Sequence, residues 1–378
     1  MKILLVIDQF DSGNNGTTIS AQRFARALRG LGHEVRVLAS GKPAQDKYAL
    51  PAVQWLPIAQ SIISSQGMQF AVPVRTTLQR ALEWADLVHF MMPFHLSRKA
   101  MRMARRMQKP CTAAFHVQPE NITSTLKLGH AKRVNDVIYT EFRNNFYNHF
   151  THLHCPSKFI ADQLTAHGYT AKLHVISNGV GPQFCYRRME KEPRFAGKFV
   201  ILMIGRLSEE KRQDVLMKAV ARSAHAGDIQ LILAGQGPRR RALEQLGAAL
   251  PNPPIFGFYS TQRLCDVIAM SDLYVHTADV EIEAIACIEA FACGLVPVIA
   301  DSPLSATPQF ALDERSLFPV GDAGALARKI DWWIDHPDER ARMGRAYARS
   351  ADQYRLEHSV KLAEEMFYEA LEEHAYPR

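Results

Sequence analysis

Residues 271–300 read SDLYVHTADVEIEAIACIEAFACGLVPVIA, and this stretch limits the fold more than any other. Leu273 to His276 is a short apolar run of strand length, and Val296 to Ala300 is a second. Between them the pattern is helical, opening near Glu283 and closing at Cys293-Gly294, where Gly294 can take the left-handed conformation that ends a helix. Strand, loop, helix, glycine and strand make a βαβ unit. Its first loop lies at the carboxyl edge of a parallel sheet, where open α/β proteins bind ligands. That loop and helix carry Glu281 and Glu289, at most about 12 Å apart along a helix axis. Two acids so spaced can hold different parts of one polyol. Acids at a helix start also simply favour the dipole, so spacing alone leaves both readings open.

The same punctuation recurs along the chain. Residues 2–7 (KILLVI) form a strand, Asp11 to Gly16 a glycine-containing loop, Thr17 to Gly32 a helix, and His33 to Leu38 the next strand. The loop DSGNNGTT is not G-x-G-x-x-G, so a dinucleotide assignment is weak. Further on, Cys111 to Phe115 is a strand that delivers His116 to its carboxyl end. Phe199 to Ile204 is another, followed by Gly205-Arg206-Leu207-Ser208-Glu209-Glu210-Lys211, with Ser208 as the expected N-cap of a helix over Asp214 to Ala224. Arg206 and Lys211 at that junction suit a diphosphate, because Arg presents a fork of donors and Lys a point charge beside a helix N-terminus. Leu231 to Pro238 runs from a strand into a glycine turn containing Gly235 and Gly237, and Ile255 to Phe258 is a strand end carrying Phe256.

At 378 residues the chain is long enough for two domains with cores of their own. The net charge of +7 makes an anionic partner worth considering, namely nucleic acid, lipid or a phosphorylated substrate. No interleaving of aromatic and basic residues supports nucleic acid. The six cysteines form no C-x-x-C pair and read as reduced and structural. His149, His152 and His154 have no acids or thiols nearby at metal spacing, so no metal is expected. The apolar run after Met1-Lys2 is too short for a signal peptide, which predicts a cytoplasmic protein. Residues 48–74 lack charge but are interrupted by glutamine, serine and proline, so a partly buried strand and loop is expected rather than a membrane span. From Ser97 to Lys109 a helix is expected to set Arg98, Arg102, Arg105, Arg106 and Lys109 on one stripe. Ala100, Met103, Ala104 and Met107 would form the opposite one. Such a stripe is either the solvated face of a Rossmann helix or a seat for anionic headgroups.

The segment from Ser271 to Ala300, with its E-x7-E spacing and EAFACGLVPVIA continuation, resembles family 4 of the GT-B glycosyltransferases, as does the G-R-L-x-x-E-K string at Gly205 to Lys211. The resemblance covers nearly the whole chain and is weakest over residues 40–110, where acceptor choice normally resides. It implies two Rossmann-like α/β domains facing each other across a cleft: an acceptor domain over 1–180 joined by a returning C-terminal helix at 355–378, a linker at 181–197, and a donor domain over 198–354. It implies a retaining, metal-independent hexosyltransferase moving glucose from UDP-glucose to a membrane lipid or other glycoconjugate. Bacterial diacylglycerol glucosyltransferases are the similar members. The roles it implies are Arg206 and Lys211 on the diphosphate, His116 on the transferred sugar, Glu281 on sugar hydroxyls and Glu289 on the ribose. Gly16, Gly235, Gly237, Phe256, Glu283, Ala284 and Ile285 would complete the donor contacts, with no cofactor beyond the donor itself. The family's usual E-G-F-G is Glu281-Ile282-Glu283-Ala284 here, which admits Glu283 beside Glu281. A position on the inner face of the plasma membrane follows from the lipid acceptor and the basic helix. The rival readings are a sugar-nucleotide epimerase on the same scaffold and a nucleotide-sugar sensor without turnover.

Overall fold

The computed structural model describes residues 1–11, 16–54, 68–124 and 128–375. The expected donor-facing loop therefore falls partly outside the described residues, at 12–15, as does much of the uncharged stretch, at 55–67. The chain divides into two compact units. One comprises Met1–Ile122, Ala131–Gly179 and Leu356–Arg378; the other comprises Thr123–His130 and Val180–Arg355.

In the first unit β1 (Lys2–Gln9), β2 (Glu34–Ser40), β3 (Lys47–Leu50), β4 (Leu87–Phe90), β5 (Cys111–Ala114), β6 (His152–Cys155) and β7 (Lys172–Val175) form one sheet in the order β3-β2-β1-β4-β5-β6-β7. Every pairing is parallel. Parallel strands covered on both faces read as continuous apolar runs, which is why Ile3 to Ile7 are all buried. Helices α1 (Gly16–Gly30), α2 (Arg75–Trp84), α3 (His95–Arg106), α4 (Pro119–Ser124), α5 (Lys132–Asn145) and α6 (Lys158–Ala166) follow in chain order. In α3 the buried face is Leu96, Ser97, Ala100, Met101 and Ala104. Met101 takes the place expected of Met103 and Met107, which are only half-buried. Arg98 leaves the expected basic stripe as well, donating through both terminal nitrogens to Glu141 at 2.5 and 2.8 Å. Lys109 lies beyond the helix and caps the carbonyl of Ala85 at 2.6 Å. Lys99, Arg102, Arg105 and Arg106 remain exposed.

The second unit repeats the plan with β8 (Phe199–Ile204), β9 (Ile229–Ala234), β10 (Ile255–Gly257), β11 (Leu273–His276), β12 (Pro297–Asp301) and β13 (Leu317–Pro319), ordered β10-β9-β8-β11-β12-β13 and parallel throughout. Its helices are α7 (Gln213–Arg222), α8 (Arg240–Gly247), α9 (Thr261–Met270), α10 (Ile285–Ala292), α11 (Ala323–Asp335) and α12 (Pro337–Ser350). Leu326, Ile330 and Trp333 line the buried side of α11. Residues 181–197, expected to be a linker, lie within this unit, with Phe184 and Phe195 buried in its core.

The last helix, α13 (Leu356–Ala375), belongs to the first unit. Val360, Met366 and Phe367 join the cluster of Ile3, Leu5 and Phe24, and the Phe367 ring lies 5.2 Å from that of His89. Among the described residues no helix is long and apolar enough to cross a membrane.

Candidate functional site

In the second unit the loops after β8 and β11 are tied together by their backbones. Thr277 Oγ1 donates to the carbonyls of Lys211 and Arg212 at 2.8 and 2.9 Å, and the Asp279 amide donates to Glu210 at 2.8 Å. This brings the side chains of Lys211 and Glu281 into direct contact. Glu281 Oε1 is also 3.1 Å from His276 Nε2, and His276 Nδ1 is 3.1 Å from the Tyr274 hydroxyl. The result is a cluster of ammonium, carboxylate, imidazole and phenol at the carboxyl edge of β8 and β11, in which His276 Nε2 approaches Glu281 closely without the alignment of a hydrogen bond. Burial opposes charge on Glu281, but Lys211 and His276 outweigh it and hold the carboxyl down at about 2. Burial also keeps His276 below its ordinary value, with Glu281 pulling the other way. A fully ionised carboxylate bonded to an ammonium is a site prepared for charge before any ligand arrives.

Glycine accounts for how closely the neighbouring loops approach. A Cβ on Gly235 would stand 1.8 Å from the Gly205 carbonyl oxygen, and one on Gly237 would stand 2.3 Å from that of Leu207. Those gaps are bridged by backbone bonds, Gly205 N to Ala234 O and Leu207 N to Gln236 O, each 3.0 Å. Both glycines thus shape the loop that carries Arg206. The Arg206 guanidinium is half-buried, and Gln213 Nε2 bonds its carbonyl at 2.7 Å. Ser208 does not cap α7 as expected. It precedes a single 3-10 turn over Glu209–Lys211 and donates to Glu210 Oε1 at 2.5 Å, and the chain enters α7 only after Arg212, which is left-handed at φ 53°.

The helix bearing Glu289 also starts later than its sequence suggests. Ala284 is left-handed at φ 63°, so α10 opens at Ile285 rather than near Glu283. A left-handed alanine costs of order 1 kcal/mol, and such strain persists only where surroundings impose it. Here the amide of Ala306 bonds the Glu281 carbonyl at 2.9 Å, and Glu281 bridges Ser305 in parallel register. Glu283 and Glu289 are both buried. Gly294, at φ 91°, closes the helix as expected. Phe256, expected among the donor contacts, is half-buried on β10 with the Arg240 guanidinium 5.7 Å from its ring centre.

His116 and Gly16 belong to the first unit, Gly16 opening α1. His116 is 6 % exposed, and its Nε2 has no hydrogen-bond partner among the described residues. Its ring meets that of His154 edge-on at 5.2 Å, beside a void of about 10 Å³ that His89 also lines. Burial, then His154 and His89, hold His116 well below its ordinary value, while His154 stands at about 4 and His89 at about 3. These are neutral imidazoles, able to bond hydroxyls without bringing charge.

Sequence reasoning missed His276, Tyr274 and Asp8. Asp8 ends the apolar run of β1 and receives the Ala71 amide at 3.1 Å on Oδ1, while Oδ2 has no partner among the described residues. Burial raises its carboxyl to about 7. The available signal was a carboxylate at the carboxyl end of an apolar parallel strand.

Models of two families match the chain, Glycosyltransferase Family 4 over residues 14–184 and Glycosyl transferases group 1 over 187–350. The chain is 26 % identical to a GDP-mannose-dependent alpha-mannosyltransferase of Corynebacterium glutamicum, over 79 % of its own length and 72 % of the relative's. It is 22 % identical to an alpha-monoglucosyldiacylglycerol synthase of Streptococcus pneumoniae, over 79 % and 71 %. Among solved structures, Anabaena HepE in complex with UDP and glucose shares 17 % identity with a TM-score of 0.71, over 98 % of this chain and all of that one, and so shares its fold.

Proposed function

Because the chain belongs to the family 4 glycosyltransferases of GT-B architecture, we propose that it moves a hexose from a nucleoside diphosphate sugar to a membrane lipid, retaining anomeric configuration and needing no metal. The observation that carries the reading is the half-buried contact between Lys211 and Glu281, with His276 beside it. Departure of a nucleoside diphosphate builds negative charge on phosphate oxygens and positive charge at the anomeric carbon. In this reading Lys211 uses one ammonium proton on Glu281 and offers the others to the diphosphate. Arg206 adds a forked donor from the adjoining loop. Glu281, kept ionised, accepts from sugar hydroxyls and Glu289 from the ribose, while His116, whose Nε2 has no partner among the described residues, bonds the transferred sugar.

Glucose from UDP-glucose, delivered to diacylglycerol, is the reading aligned with the Streptococcus relative. GDP-mannose is the second, favoured by the name of the Corynebacterium relative. The exposed Lys99, Arg102, Arg105 and Arg106 suit an anionic bilayer, at about 1 kcal/mol each near such a surface. The test is incubation with either donor and diacylglycerol liposomes, followed by product analysis. An α-linked glycolipid from one donor is expected, with Arg206→Gln losing on the order of 100-fold in turnover, the scale of an oxyanion donor. Donor hydrolysis or isomerisation without a lipid product would instead indicate an epimerase, and binding without turnover a sensor.

A further inference from the structure

We propose that His152, His174 and Glu369 form a binding site for a zinc-type divalent cation that fastens α13 to the edge of the first sheet. His152 starts β6 and His174 lies on the neighbouring edge strand β7, both on the face that α13 covers. Glu369 and Glu373, one helical turn apart on α13, reach down to them. His152 Nδ1 is 2.9 Å from His174 Nε2 and 3.8 Å from Glu369 Oε2, and the third side of the triangle, His174 Nε2 to Glu369 Oε2, is 3.9 Å. A triangle with those sides has a circumscribed radius of about 2.1 Å, so a single point lies at the usual Zn–N and Zn–O distance from all three donors. Two imidazoles and a carboxylate also suit zinc over magnesium or calcium.

The surroundings fit the same role. His152 Nε2 is 3.0 Å from Glu373 Oε2, the carboxylate-to-histidine contact that fixes a ligand's tautomer. With its proton committed to Glu373, the imidazole presents the Nδ1 lone pair to the centre of the triangle. The side chain of His152 is fully buried and that of His174 is 13 % exposed, whereas Glu369 is 40 % exposed, leaving an open side for a water as fourth ligand. Lys172 Nζ holds Glu369 Oε2 at 2.5 Å from the solvent side. This ammonium competes with a metal for that oxygen, and it also marks the spot as one where the fold already favours positive charge. Its side chain is 57 % exposed, so it can swing away when a divalent ion arrives. The bond changes are simple: three ligand–metal bonds form, the Lys172–Glu369 bond opens, and the proton between the two imidazoles moves from His174 Nε2 to His174 Nδ1, leaving both ligand rings neutral.

The ligands come from β6, β7 and α13, so the cation acts as a clasp that holds α13 to the sheet edge. The inference is independent of the donor or acceptor used. It is tested on the full chain stripped with chelator and titrated with Co²⁺, then Zn²⁺. Expected are one equivalent bound with the visible bands of four-coordinate cobalt, displacement by zinc, and a rise in thermal midpoint with Zn²⁺. His174→Gln and Glu369→Gln should each lose both the bands and the rise, while Glu373→Gln should weaken binding about 10–100-fold by releasing the tautomer. His149→Ala, an exposed histidine outside the cluster, should change nothing. Absence of stoichiometric binding, or equal binding in wild type, His174→Gln and Glu369→Gln with unchanged helical content, would overturn the site.

Discussion

The polar groups around His116 in the first unit are imidazoles that burial keeps neutral, whereas those around Glu281 in the second are an ammonium, a carboxylate and an imidazole in contact. Both sets lie on parallel strands or the loops that leave them. Each set holds an imidazole nitrogen without a hydrogen-bond partner among the described residues, His116 Nε2 in the first and His276 Nε2 in the second, but only the second sets an ammonium against a carboxylate, at the cost of a left-handed alanine nearby. The difference matches two chemical tasks. Neutral donors and acceptors suit hydroxyls, whose recognition needs direction more than charge. Compensated ions suit a leaving group whose charge grows in the transition state.

The largest effect should come from splitting the ion pair. Lys211→Met leaves the half-buried Glu281 carboxylate without its ammonium, and removing one partner of a pair so far withdrawn from water costs up to about 3–5 kcal/mol. Urea unfolding should register this loss, and Lys211→Met combined with Glu281→Gln should recover much of it. Simple additivity of the two changes would show that the contact carries no coupling and would remove the basis for treating the pair as prearranged.

Next in size is a pH effect that separates the two units. Glu281 has a depressed carboxyl, so its contribution is present above about pH 4.5 and disappears as pH falls through about 2. Asp8 behaves the other way. Its folded carboxyl is raised from 3.8 to about 7, so the stability linked to it is present below about pH 4 and is lost as pH climbs through 7. At about 1.4 kcal/mol per unit, that loss comes to about 4–5 kcal/mol. Asp8→Asn retains the acceptor for the Ala71 amide and removes the ionisation. Thermal midpoints should therefore favour the variant increasingly between pH 5 and pH 8, while Glu281→Gln shows no such trend over that interval. Parallel profiles for wild type and Asp8→Asn would refute the assignment.

The βαβ alternation was legible because parallel strands are apolar on both faces and end in glycine or polar loops, as at Ile204-Gly205 and Ala234-Gly235. Contact between Lys211 and Glu281 was not read in advance. They are 70 positions apart, and only the zipping of their two loops by Thr277 and Asp279 joins them. His276 was hidden for a related reason, since a histidine in a buried strand looks like core until a carboxylate folds back over it. Glu283 and Ala284 are sound helix formers by propensity, so the helix was expected to include them. A long-range strap through Ser305 and Ala306 overrides that preference and turns Ala284 left-handed. Ser208 failed as a cap because the chain makes a 3-10 turn and a left-handed step at Arg212 before α7 begins.

The smallest effect on stability, and the sharpest on the contrast, concerns which imidazole nitrogens have partners. His89 Nδ1 is 2.8 Å from the hydroxyl of Thr112, the residue in register with it on β5. Thr112→Val keeps the shape and removes that partner, leaving a buried polar atom unsatisfied at about 1–3 kcal/mol. His116 Nε2 has no partner among the described residues, so His116→Leu discards no bond to them and should change the unfolding free energy by less than about 1 kcal/mol. If that nitrogen awaits a sugar hydroxyl, the same variant should lower turnover on the order of 100-fold, as the loss of a directed polar contact does. Stability would then fall at Thr112 and turnover at His116, two positions four residues apart in the chain beside the same imidazole cluster. A His116→Leu protein as active as wild type would mean that the orphaned nitrogen is a packing defect, and the neutral half of the comparison would have no chemical task.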